Sequence, residues 1–115
     1  MSIDNSFENG KIAVAIRSAR TAVGWNQQEF AEKMGVAKST IARIETLEMA
    51  AKGDFVNKAM RLFREAGVEV DLYDSTSLPI NVKVKAIEDA IASFKDADKR
   101  RSDRGTVGLK RPTSV

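Results

Sequence analysis

Apolar positions along the first 67 residues of the chain recur with a helical period, and only beyond them does a strand-like period appear. Ile12, Ile16, Ala19 and Val23 repeat at i, i+4, i+7 and i+11, which predicts a first helix from Gly10 or Lys11 to Val23. A second, shorter pattern follows: Asn26 is a good N-cap, Glu29 stands where a capping box closes, and Phe30, Ala31 and Met34 share one face. Gly35 falls where a chain leaving a helix needs positive φ, and Val36 is an apolar residue in an otherwise polar turn, placed to plug into the core. Ile41 and Ile44 then anchor a third helix by one side. Its other side carries Lys38, Ser39, Ala42 and Arg43, a short polar and basic strip. Two amphipathic helices joined by one tight turn are predicted over Trp25 to Glu45.

Beyond Glu45 the pattern is less sharp. Thr46 to Lys52 is helix-compatible up to Gly53, so the third helix either runs on or is followed by a second short turn. Asp54 is expected to cap a further helix, Phe55 to Ala66, with Phe55, Ala59, Leu62, Phe63 and Ala66 inward and Gly67 ending it. Val68, Val70 and Leu72 then alternate with polar residues, as do Ile80, Val82 and Val84, across the turn-forming stretch Asp74 to Pro79. A β-hairpin accounts for this. Ile80, Val84, Ile87, Ile91 and Phe94 also fit a heptad with Pro79 at a helix start, but the density of β-branched residues favours a strand from Ile80 to Val84 and a helix from about Ala86 to Lys95.

The segment Arg17 to Glu45 resembles the Cro and repressor class of helix-turn-helix domains, the XRE-like family that includes lambdoid phage repressors. Gln27, Glu29, Phe30, Ala31, Met34-Gly35-Val36, Ser39, Ile41, Arg43 and Ile44-Glu45 carry the resemblance, in the family's spacing. It implies a mainly α fold, with a lambda-repressor-like head of four to five helices up to Gly67. By position it also implies phosphate contacts from Asn26 and Gln27, base contacts from Lys38, Ser39 and Arg43, and a structural ion pair between Arg20 and Glu45. Trp25 stands where the family usually has Leu, which makes it a buried anchor rather than a base-stacking ring. The family's Asn or Gly after the recognition helix is missing, so phosphate contacts from the following loop lose their support; Lys52 is the one basic candidate there.

Composition narrows the function classes. The chain of 115 residues has no Cys and no His, which removes thiol nucleophiles, Ser-His-Asp triads and most zinc or transition-metal sites. Glycine-rich phosphate loops and paired catalytic carboxylates are also missing, so neither enzyme activity nor a cofactor or metal is expected. No apolar run approaches membrane-span length, and MSIDNSFENG lacks the basic start and apolar stretch of a signal peptide, so a cytoplasmic protein without a membrane partner is expected. The net charge of +3 is unevenly spread: Lys99, Arg100, Arg101, Arg104, Lys110 and Arg111 face only Asp103 after residue 98, leaving the rest slightly acidic.

The expected organisation is a flexible arm over 1–9, a DNA-binding head over 10–67, a hairpin plus helix over 68–95, and a basic disordered tail over 96–115. An isolated hairpin is marginal in water. Val68, Val70, Leu72, Ile80, Val82, Ile87, Ile91 and Phe94 are therefore assigned to dimerisation, which a two-fold operator requires. The tail either adds phosphate attraction, binds an acidic partner, or only solubilises. The functional expectation is a sequence-specific double-stranded-DNA-binding regulator, a homodimeric repressor of phage or mobile-element type. The alternative is the antitoxin of a toxin-antitoxin module, which binds its own operator and a toxin partner. A remoter class is an interaction module that has kept the fold and lost base contacts.

Overall fold

The computed structural model describes residues 6–96. The basic tail and the first five positions of the expected arm lie outside the described residues. Within them the order is α1 (Ser6–Ala22), α2 (Gln27–Met34), α3 (Lys38–Glu45), α4 (Gly53–Glu65), β1 (Val68–Val70), β2 (Ile80–Val82) and α5 (Val84–Phe94). The chain is a mainly α helix-turn-helix head followed by a two-stranded antiparallel hairpin and a C-terminal helix.

α1 starts one turn before the sequence pattern begins. Ser6 to Asn9, expected in the arm, are helical; once Ile16, Ala19 and Val23 fix later turns in the core, each added residue closes one more backbone bond, and Glu8 suits the positive end of the helix. Ala13 and Ala15 are also buried, off the expected stripe, because β1 and α5 lie against α1 as well as α3 and α4. α1 closes with Gly24 at φ 80 and the Trp25 N–H donating to the Arg20 carbonyl at 3.1 Å. At the centre Phe30 and Phe63 stack with centroids 5.1 Å apart, and half-buried Trp25 stacks on both, at 6.2 and 5.8 Å. Val36 is half-buried against this cluster, as a plug in the turn should be.

α3 does not run on to Gly53. α3 ends at Glu45, and the Glu48 N–H returns to the Arg43 carbonyl at 2.8 Å. Thr46 Oγ1 donates to the Ala42 carbonyl at 2.9 Å. The turn is needed because Ala51 and Phe55 must fold back onto the core, and that packing outweighs the modest helix propensity of residues 46–52. Its cost falls on Leu47, at φ 66 the one non-glycine residue with positive φ among the described residues. Leu47→Gly relieves a strain of ~1 kcal/mol or more, against a somewhat smaller loss of chain entropy. A melting temperature raised by a few degrees is expected; a fall would show that the Leu47 side chain holds the turn through its apolar neighbours.

Three further boundaries differ from the sequence expectation. Asp54 does not cap α4. Lys52 is the N-cap residue, without a side-chain cap bond, and Asp54 sits in the first turn accepting from the Phe55 N–H at 2.9 Å. β1 stops at Val70, so Leu72 lies in the connecting loop, where Asp71 and Asp74 accept backbone N–H groups of Tyr73 and of Thr76 and Ser77. The backbone and hydroxyl bonds from Thr76 hold the Asp74 carboxyl below its usual range, and Lys11 donates to the Asp74 carbonyl, tying the loop to α1. Val84, expected to end a strand, begins α5. The Lys83 N–H makes the last cross-link, to the Gly67 carbonyl at 2.8 Å, and the Lys83 carbonyl already accepts from Ile87.

The hairpin register is Val68↔Val82, Glu69↔Asn81 and Val70↔Ile80. It corrects part of the dimerisation assignment. Val68 is 0% exposed and belongs to the head's own core, while Val70, Ile80 and Val82 pack half-buried against it. A two-stranded hairpin needs a covering surface, and the head supplies it. α5 behaves differently: Ala86 and Ala90 face the head, whereas Ile87, Ile91 and Phe94 are 45%, 48% and 49% exposed, with Val84 at 70%.

Candidate nucleic-acid interface

The site is built from the start of α2 and the outward side of α3, held together from beneath. Asn26 Oδ1 accepts from the Glu29 N–H at 2.8 Å, and Glu29 Oε1 accepts from the Asn26 N–H at 2.9 Å, which is the capping box expected from the sequence. Asn26 is accordingly buried and engaged. Its Oδ1 fixes the first turn of α2. That geometry leaves the N–H groups of Gln27 and Gln28 at the positive end of the helix, where anions are favoured.

Beneath Gln27 lies a buried ion pair joining three helices. Arg20 Nε donates to Glu45 Oε2 at 2.7 Å and Nη2 to Glu45 Oε1 at 3.1 Å, with the two side chains 11% and 2% exposed. Arg20 Nη1 also reaches the Trp25 carbonyl at 3.0 Å, and Gln27 Nε2 donates to Glu45 Oε1 at 3.1 Å. One carboxylate at the end of α3 therefore fixes both the angle of α1 and the amide of Gln27. Two parallel bonds between a fork of N–H donors and a carboxylate make that connection directional.

On α3, Ile41 and Ile44 are buried, Ser39 and Arg43 are exposed one turn apart, and Lys38 and Ala42 are half-buried beside them. The N-terminus of this helix is poorly built for stability. Ala37 is the N-cap residue and supplies no side-chain bond, and the first turn carries a cation, Lys38, at the end where a helix favours anions. Each feature costs up to ~1 kcal/mol relative to a capped, acidic start. A helix start that forgoes a cap and displays positive charge is suited to an approaching anion or base edge.

Lys52 is exposed at the start of α4, beside the furrow lined by Thr40, Ile44, Met49 and Phe55, and so remains on the surface. The sequence reading missed the first-turn N–H groups of α2 as donors, although the Asn26/Glu29 box signalled them. Among the described residues no cluster of His, Cys, Asp or Glu is arranged to hold a metal ion, and no helix is long and apolar enough to cross a membrane.

A family model described as helix-turn-helix matches residues 16–66, from the middle of α1 to the end of α4. The hairpin and α5 lie beyond that match. No curated protein and no solved structure matches the chain.

Proposed function

We propose that the protein is a DNA-binding transcription regulator of the XRE type, a homodimeric repressor of phage or mobile-element type; the helix-turn-helix match over residues 16–66 supports the reading. It acts in the cytoplasm without catalysis or cofactor. The observation that carries the reading is the exposed strip Ser39 and Arg43, flanked by Lys38, on a helix whose neighbour is locked to it through Glu45. α3 enters the major groove and these three side chains meet base edges, while the start of α2 and the Gln27 side chain rest on a phosphate. Lys52 adds a second phosphate contact from the start of α4. Repression follows from occlusion of polymerase at an overlapping promoter.

The dimer is proposed through α5. Val84, Ile87, Ile91 and Phe94 stand at 3-4-3 spacing on one exposed side, the kind of self-complementary strip that a two-fold contact buries. Selection of bound sequences from random duplexes tests both parts. The expected result is a palindrome whose half-sites lie about one helical turn apart, ~34 Å. An asymmetric single site would overturn the dimer, and recovery of no preferred sequence would overturn base reading by α3.

A further inference from the structure

We propose that the furrow between α1, the turn after α3 and the hairpin loop is a binding site for a small apolar carboxylate, and that its occupancy is transmitted to α3. The site stands on the geometry of the furrow alone; the transmission rests on the DNA-binding reading above.

Exposed apolar residues from separate parts of the chain meet in this furrow. Phe7 and Val14 of α1 are 67% and 53% exposed, and Leu47 is 55% exposed. With half-buried Leu78 of the hairpin loop they line an open concavity of about 710 Å³. Single exposed side chains of this kind are ordinary, but several gathered into one concave surface match a small-molecule site, whose usual volume is ~300 to 1,000 Å³. The backbone of Leu47 points the same way. Its φ of 66 suits glycine or asparagine, and a side chain more than half exposed gains little packing from the protein itself to offset the strain. A ligand that covers Leu47 accounts for an apolar side chain at such a position.

Charge selects the ligand. Lys11 and Arg17 line the furrow on either side of Val14, each three residues from it and so ~4.5 Å along the helix. Lys11 donates to a neutral group, the Asp74 carbonyl, and Arg17 is exposed with no hydrogen bond or ion pair among the described residues. Glu45, the one acid lining the furrow, is already engaged by Arg20 and Gln27. A carboxylate suits the planar donor fork of Arg17, with its apolar body laid along Val14, Phe7 and Leu47. A cation there would meet two like charges.

The wall that Leu47 belongs to also ends α3. Glu45 is the last residue of that helix and Thr46 its C-cap, and the Glu48 N–H of the same turn bonds the Arg43 carbonyl. A ligand on Leu47 therefore braces the turn that holds Arg43, while Glu45 extends the effect to Gln27.

The test titrates dodecanoate, below its micelle concentration, into the isotope-labelled full chain, with dodecyltrimethylammonium as the matching cation. Amide shifts are expected at Val14, Leu47 and Leu78 at concentrations that leave Ile87 and Ile91 of the exposed α5 strip unmoved. Arg17→Gln should weaken dodecanoate by roughly 2- to 5-fold without weakening the cation. Leu47→Gly, expected to melt higher, should nevertheless bind dodecanoate roughly 3- to 10-fold less well. Val14→Glu, at an exposed position that the fold tolerates, should weaken dodecanoate and spare the cation. Equal affinity for the two probes, shifts centred on α5, or furrow shifts that grow with protein concentration without any probe would overturn the site, the last by showing a second copy in it. Saturating dodecanoate is expected to change the affinity for the selected duplex by ~5-fold or more, and the duplex to change dodecanoate affinity by the same factor. An unchanged duplex affinity would overturn the transmission and leave the site. A chain that binds no duplex would overturn the DNA-binding reading and the transmission with it, while the site stands or falls by the shifts and the variants.

Discussion

Glu45→Ala is expected to lower the free energy of unfolding by ~3 to 5 kcal/mol, because it strands the Arg20 guanidinium without its carboxylate in a buried place. For a small domain that is a large part of the total stability, ~5 to 15 kcal/mol. The loss reaches further than the pair, since the same carboxylate accepts from Gln27. Removing both charges should be milder than removing one. Arg20→Met with Glu45→Leu puts apolar volume where two ions had to be desolvated, and it is expected to recover most of the stability in a denaturant titration. The double variant should nevertheless bind DNA more weakly than the native chain, because Gln27 has lost the group that orients it. Should Glu45→Ala cost less than about 1 kcal/mol, water reaches the pair and the proposed clamp is not what sets α2 against α3.

Arg43→Ala carries the second large effect. A guanidinium in bidentate contact with guanine contributes ~1 to 3 kcal/mol of discrimination, so binding to the selected site should weaken by roughly 5- to 150-fold. Binding to random duplex should change far less. Arg43→Lys should recover only part of the loss, because a single ammonium cannot make the paired contact. Gln27→Ala is the counterpart: it should weaken selected and random sequences alike, since a phosphate reports no sequence. Equal losses on both duplexes for Arg43→Ala would reassign it from bases to the backbone. The exposed position of Arg43, on the same side of α3 as Ser39, is what makes the distinction measurable in one pair of titrations.

The elements that the sequence made legible are those held by contacts within a turn or two of chain. Asn26 and Glu29 close their box across three residues, Gly35 takes φ 75 where a helix must stop, and Ile41 with Ile44 define the inner side of α3. The Arg20–Glu45 pair spans 25 residues, yet it too was legible, through the family's spacing rather than through any local rule. Local pattern leaves the outcome open or misplaces it where neighbours distant in the chain decide. Thr46 to Lys52 allows either a longer helix or a second turn, and the need to bring Phe55 onto the core selects the turn at Leu47. Asp54 is expected to cap α4 by its place before the apolar run, but the packing of α4 on the core starts the helix two residues earlier, with Lys52 as its N-cap. The apolar furrow shared by Phe7, Val14, Leu47 and Leu78 had no signature, since three separate elements each supply a part of it.

By itself the sequence determined the helix-turn-helix, the residues facing outward from its second helix, and the presence of a hairpin and a last helix. Periodicity and capping write these into adjacent positions. Only the tertiary structure decided which apolar residues remain available to a second molecule. Val68 and Ile87 look equally apolar along the chain, but Val68 is wholly enclosed by α1 and α4 while Ile87 stands 45% exposed. Hydrophobicity states that a side chain favours leaving water; which surface covers it depends on where the rest of the chain has already packed.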